Sequence, residues 1–175
     1  MLLGLVMVVT LVAYQQDTVT HKDSLALVQA PAPPPAPTIE QIRYMAGLKT
    51  ATRGVAQVRD GVNRVVRTQQ ADSLTRRRAA RRLGGLCGTA RSFIVSGRPK
   101  MQATAYADSM RVLAKQVTTR LDSLTSALTT CEKTAGRDPT AVATTLTGQL
   151  KTYDDALLAF RAALKPDSTK AISQQ

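Results

Sequence analysis

The sequence is short of the side chains that carry most enzymatic chemistry. Its 175 residues include one histidine, two cysteines and no tryptophan, and aromatic residues make up 3%. Glutamate occurs only as Glu40 and Glu132, and His21 is far in sequence from both cysteines. Catalysis and zinc binding need such groups in clusters. The sequence therefore predicts a protein that is not an enzyme, with no catalytic residues, metal, cofactor or small-molecule substrate.

Apolar residues nevertheless make up 43% of the chain, enough for a core of leucine, valine, alanine and methionine. They recur at helical spacing, and no run alternates as a half-buried strand would. A basic helical module is predicted over 38–166, starting at Thr38, whose spacing from Gln41 matches a capping box. We expect an all-α fold of three or four long antiparallel helices, arranged as a bundle or as helical hairpins.

One helix boundary inside this module can be placed in two ways. The first helix ends near Gln70, or it continues through the arginines as far as Gly84. Asp72 and Ser73 are suitable cap residues for a fresh helix start at that point, and the sequence leaves the boundary open.

Cys87 and Cys131 are candidates for a disulfide, because paired cysteines are common in oxidising compartments. A straight helix from Pro99 to Cys131 would be about 48 Å long. The segment from Cys87 to Pro99 reaches at most about 42 Å. A disulfide therefore requires the helix that contains Cys131 to begin late, near Tyr106, or to bend. Otherwise the two cysteines are apolar residues of the helix seams.

The N-terminal residues differ from the rest of the chain. Residues 1–13, MLLGLVMVVTLVA, are apolar and uncharged, and as a helix they would be about 20 Å long, short for a membrane span. We interpret them as an anchor or as a signal-like segment, because the run has the length of a signal-peptide core but lacks the basic residues that usually come before one. Residues 14–37 form a polar and then proline-rich linker, in which PAPPPAP at 31–37 is an extended strap. Residues 167–175 form a tail.

Three glycines are spaced seven residues apart in the first helix. Gly47, Gly54 and Gly61 lie on nearly one stripe, although glycine is a poor helix former. We interpret them as a face for close helix packing. The approaching backbone could belong to this chain or to a partner.

Positive charge is concentrated in one part of the chain. The formal net charge is +12, and residues 41–100 hold fourteen lysines and arginines against two aspartates. The densest cluster is Arg76, Arg77, Arg78, Arg81 and Arg82. We expect these arginines to spread over several helix faces and to bind an anionic partner, namely a larger membrane-protein complex or anionic lipid headgroups. Nucleic acid is disfavoured, because no aromatic stacking platform accompanies them.

These features together favour a non-catalytic, membrane-extrinsic accessory subunit that stabilises a larger bacterial membrane-protein assembly, on the periplasmic side. In general character, rather than in any motif, the chain resembles the membrane-extrinsic polypeptides that hold a photosynthetic reaction centre in its light-harvesting antenna. The alternative is a free-standing secreted or periplasmic helical module that binds anionic polymers, lipids or client proteins.

Overall fold

The computed structural model describes residues 36–164, which form four α-helices and contain no strand. The helices are α1 (Ile39–Arg67), α2 (Ser73–Gly97), α3 (Asp108–Thr134) and α4 (Pro139–Leu164). The expected all-α fold with long helices is confirmed. The apolar residues 1–13, most of the 14–37 linker and the tail at 167–175 lie outside the described residues.

Three of the four helices begin at side chains that cap free backbone N–H groups. The Thr38 hydroxyl accepts from the Gln41 N–H at 3.3 Å, and the Gln41 side chain accepts from the Thr38 N–H at 3.0 Å. Asp72 accepts from the N–H groups of Leu74 and Thr75, both at 2.9 Å. Because Asp72 starts a new helix, the alternative of one helix running on to Gly84 is wrong.

The fourth helix starts in the same way, whereas the third does not. Asp138 accepts from the Ala141 N–H at 3.0 Å, with Pro139 at the first helical position. Between α2 and α3 the chain makes two short 3₁₀ turns, Arg98–Lys100 and Ala103–Ala105. No side chain caps α3.

Tyr106 lies two residues before α3, close to the late helix start that the length argument requires for the disulfide. It is the residue after the second 3₁₀ turn, and its backbone is extended. The side chain is buried nonetheless, with its ring centroid 5.2 Å from that of Tyr44 and 5.4 Å from that of Phe160. The Tyr106 side chain therefore contributes to the core from the segment that connects α2 and α3. The spacing of apolar residues alone does not distinguish such a position from one in a helix.

The core runs the length of the bundle and is closed at one end by aromatic rings. Leu48, Leu83, Leu121 and Leu146 are examples of its fully buried side chains. Tyr44 also donates a hydrogen bond from its hydroxyl to the Ala114 carbonyl at 2.9 Å. Consecutive helices run antiparallel, and α2 lies between α1 and α3.

The glycine stripe of α1 faces α2. A Cβ built on Gly47 would lie 2.6 Å from the Gly97 carbonyl oxygen, and one on Gly54 would lie 2.6 Å from the Ala90 carbonyl oxygen. At Gly61 the nearest atoms are leucine methyl groups at 3.0 Å. The close approach is therefore made by another helix of this chain.

None of the four helices between residues 36 and 164 combines the length and the apolar character that crossing a membrane requires.

Candidate functional site

The five clustered arginines lie in the first half of α2, and all five are exposed. At about 100° per residue, Arg77, Arg78, Arg81 and Arg82 cover an arc of about 140°. This arc points away from the buried side of α2, which carries Ala79 and the other apolar residues that contact the bundle. Arg76 lies about 100° from Arg77 in the other direction, on the side of α2 that carries Ala79, so the five arginines together span about 240° of the helix. We call the set Arg76, Arg77, Arg78, Arg81 and Arg82 the arginine tip.

Other arginines of the bundle are engaged in ion pairs between helices. Arg59 binds both carboxylate oxygens of Asp154, at 2.6 and 2.7 Å. Arg98 binds Asp122 at 2.8 Å, which raises the pKa of the guanidinium, and Arg91 binds Glu132 at 3.1 Å. Within residues 36–164, no arginine of the tip has such a partner. Their donors are available to an external anion.

The tip extends beyond the end of α3. A Cβ built on Gly84 would lie 3.8 Å from the Cβ of Ala135, so the end of α3 is beside Gly84. Because the two helices are antiparallel, residues 73–83 of α2 continue past that point for about 16 Å. The arginines therefore sit on a projection formed by the α1–α2 hairpin.

The acidic groups of this projection do little to neutralise it. Between residues 60 and 82 the sequence has seven arginines and two aspartates, Asp60 and Asp72. Asp60 lies 4.0 Å from Arg64. Asp72 accepts hydrogen bonds from the Thr75 side chain and from backbone N–H groups, which lower the pKa of its carboxyl and keep it occupied as the α2 cap. A net positive field remains, and guanidinium groups suit bidentate binding of carboxylate or phosphate.

Cys87 and Cys131 are joined by a disulfide, with their Cα atoms 6.1 Å apart. This bond became geometrically possible because α3 begins only at Asp108, as the length argument requires. Both cysteines are buried. The disulfide fixes α3 to α2 just below the projection that carries the arginine tip.

The described residues offer little for proton transfer or metal binding. Within 36–164 no group of three histidine, cysteine or acidic residues is placed to hold a metal ion. Asp154 and Asp155 are adjacent, but Arg59 binds the first and Lys151 the second, at 2.9 Å. The arrangement suits binding of anions by arginine.

Sequence reasoning missed a second feature, a groove between α1 and α4 of about 610 Å³. We call it the α1–α4 groove, and it is lined by Met45, Ala46, Leu48, Lys49, Thr52, Arg53, Ala56 and Arg161. No local signal could reveal it, since Arg161 is more than a hundred residues from Lys49. Only the packing of α4 against α1 brings the three cations together.

Comparison of the chain with protein-family models, with curated proteins and with solved structures gives no match.

Proposed function

We propose that this protein is a non-catalytic, membrane-extrinsic accessory subunit that docks by its arginine tip on a negatively charged surface of a larger membrane-protein assembly. The observation that carries the proposal is the contrast in charge pairing. Arg59, Arg91 and Arg98 have carboxylate partners on neighbouring helices, whereas the arginine tip has none among the described residues. Like charges at i and i+4 on a helix are destabilising, so a cluster of this kind needs a reason other than stability.

Two features support an extracytoplasmic, periplasmic location. Disulfides such as Cys87–Cys131 form and persist in oxidising compartments. The apolar run at 1–13, followed by a proline-rich strap, has the composition of a surface anchor with a spacer. Each attachment point would raise the effective concentration of the next. A photosynthetic reaction centre with its antenna is the host that the general character of the chain suggests.

The test is rebinding of the full-length protein to salt-stripped membranes of the source cells, measured by co-sedimentation at low salt. The variant R76S/R77S/R78S removes three charges of the arginine tip. Each basic residue near an anionic surface contributes about 1 kcal/mol, so we expect affinity to fall by about a hundredfold. Circular dichroism should show unchanged helix content, because all three side chains are exposed.

The matched control is R43S/K115S/R120S, which makes the same chemical changes at exposed cations that have no ion pair among the described residues. Its affinity should stay close to that of the unaltered chain. Equal binding by both variants would contradict the proposal, as would extensive unfolding of R76S/R77S/R78S. Equally tight binding to protein-free vesicles of phosphatidylcholine and phosphatidylglycerol would replace the subunit proposal with a free-standing lipid-binding module.

A further inference from the structure

The α1–α4 groove has an apolar floor and a cationic rim. Met45, Leu48 and Ala56 contribute apolar surface, and Thr52 is the uncharged polar residue of the lining. The Thr52 hydroxyl donates to the Leu48 carbonyl at 2.8 Å and also lies 3.1 Å from the Tyr153 hydroxyl. Its hydrogen-bonding capacity is therefore used inside the protein. A volume of about 610 Å³ is in the range typical of sites for small molecules.

The rim carries three cations and no acid. Lys49 and Arg53 are one helical turn apart on α1, and Arg161 is on α4. All three are exposed, and none has an ion pair among the described residues. Long basic side chains can cover apolar surface with their methylene stems while the charged groups stay in water. The three charges thus remain free to meet an anionic group at the mouth of the groove.

The register of α1 and α4 brings like charges to about the same level of the bundle. Arg59 and Asp154 are joined by two hydrogen bonds and so mark opposite positions on the antiparallel helices. Six residues back along α1 is Arg53, and seven residues forward along α4 is Arg161. The favourable pair at one level is therefore followed, about two turns away, by one arginine on each helix, and both arginines line the groove. Like charges that line one groove repel each other, and a bound anion would relieve this repulsion.

The apolar surface continues beyond the groove. Met45 also lines a second groove of about 480 Å³, together with Ile42, Met110 and Leu164. Ile42 is 55% exposed and Leu164 is 40% exposed, so both contribute accessible apolar surface to the second groove. From Ala56 to Ile42 the apolar path follows α1 for about 21 Å. The combined surface is long and narrow.

We propose that the α1–α4 groove binds a long-chain fatty acid, with the carboxylate held by Lys49, Arg53 and Arg161 and the alkyl chain lying along Met45 toward Ile42. The ligand class follows from the two chemistries that the groove joins, a cluster of cations without ion pairs in the described part of the chain and an apolar strip along α1. The site is at the end of the bundle away from the arginine tip and does not depend on the docking function proposed above.

The test is titration of the full-length protein with cis-parinarate, a fluorescent fatty acid, below its critical micelle concentration. The absence of tryptophan keeps protein fluorescence from interfering. The variant K49E/R53E should weaken binding by at least about tenfold, and R161E should act in the same direction. Oleate should displace the probe, whereas methyl oleate, which lacks the charge, should displace it poorly.

The matched control is K115E/R120E, which changes the net charge by the same amount on exposed residues of α3. It should leave parinarate affinity within about twofold. Equal weakening by the two double variants would show a general effect of charge and overturn the proposal. Unchanged binding by K49E/R53E would do so as well, because the probe would then be held elsewhere. Circular dichroism of each variant separates loss of the site from loss of the fold.

Discussion

At the scale of single residues, the tightest constraints lie where glycines of α1 meet the backbone of α2. A Cβ on Gly54 would lie 2.6 Å from the Ala90 carbonyl oxygen and 2.9 Å from the Phe93 Cβ. A backbone oxygen cannot move aside as the end of a long side chain can. The two helices would have to separate to admit a methyl group.

We expect Gly54→Ala to lower the free energy of unfolding by about 2 kcal/mol, since overpacking outweighs the gain in helix propensity. Gly148→Ala is the matched control, because Gly148 is an exposed helical residue with nothing within 4 Å of an added Cβ. That change should stabilise the protein by about 0.5–1 kcal/mol. Urea unfolding measures both. A stabilised Gly54→Ala protein would show that the α1–α2 contact is looser than described.

Residues that act locally were the ones that could be predicted from the sequence. The caps at Thr38, Asp72 and Asp138 bind backbone groups two or three residues away, so a short sequence window contains both partners. The glycine stripe was visible too, but its partner was not. Gly97 is fifty residues from Gly47, and nothing in the intervening sequence specifies their contact.

At the scale of elements, the connection between α2 and α3 determines which residues of these two helices lie side by side. Pro99 and the two 3₁₀ turns delay the start of α3 until Asp108, which brings Cys131 level with Cys87. Chain length showed that a late start was necessary for the disulfide. Chain length could not show that Tyr106 lies in the connection rather than in α3, because its ring is buried as deeply as the side chain of a core helix residue.

We expect the disulfide to stabilise the bundle by about 4 kcal/mol, the loop-closure value for cysteines 44 residues apart. Comparison of unfolding with and without dithiothreitol measures this contribution. The double variant C87A/C131A supplies the control, since a reductant should not change its stability. An oxidised protein no more stable than the reduced one would indicate that the denatured chain is little restricted by the bond.

At the scale of the whole molecule, three buried tyrosines link the stability of the bundle to alkaline pH. Burial is the main cause that raises the phenol pKa of Tyr44, Tyr106 and Tyr153. For Tyr153 a hydrogen bond with Thr52 opposes the rise. These phenols stay neutral in the folded state at pH values where an unfolded tyrosine, with a pKa of about 10, would ionise.

The sign of the effect follows from proton counting. Below about pH 10 the folded and unfolded states both hold these protons, so the tyrosines contribute no pH dependence to the free energy of unfolding. Above it the unfolded chain binds fewer protons, and the free energy of unfolding should fall by up to about 1.4 kcal/mol per pH unit for each tyrosine. Urea unfolding between neutral pH and about pH 11 measures the decline.

Tyr44→Phe tests whether the tyrosines are responsible. The variant should be less stable at neutral pH by about 1 kcal/mol, because the hydrogen bond to the Ala114 carbonyl is lost. Its stability should then decline less steeply above pH 10. A decline as steep as that of the unaltered chain would assign the alkaline unfolding to other groups.

The two candidate surfaces differ in how far the sequence could reveal them. The arginine tip is contiguous in sequence, so composition alone pointed to it. The structure added that four of its arginines point away from the buried side of α2 and that none has an ion pair within residues 36–164. The cations of the α1–α4 groove are Lys49 and Arg53, which are close in sequence, and Arg161, which is more than a hundred residues away. Each is unremarkable by itself, and only the pairing of α1 with α4 makes them one surface.

The second groove described above, at which Met45 also lies, includes both Pro37 and Leu164 in its lining. Both ends of the described chain therefore emerge at one pole of the bundle, whereas the arginine tip is at the other. α1 spans the distance between the poles with 29 residues, about 43 Å. A tensile force between Pro37 and a partner bound to the arginine tip would act along the axis of α1. The packed helices would then be loaded in shear rather than peeled apart, and the bundle would transmit tension along its length.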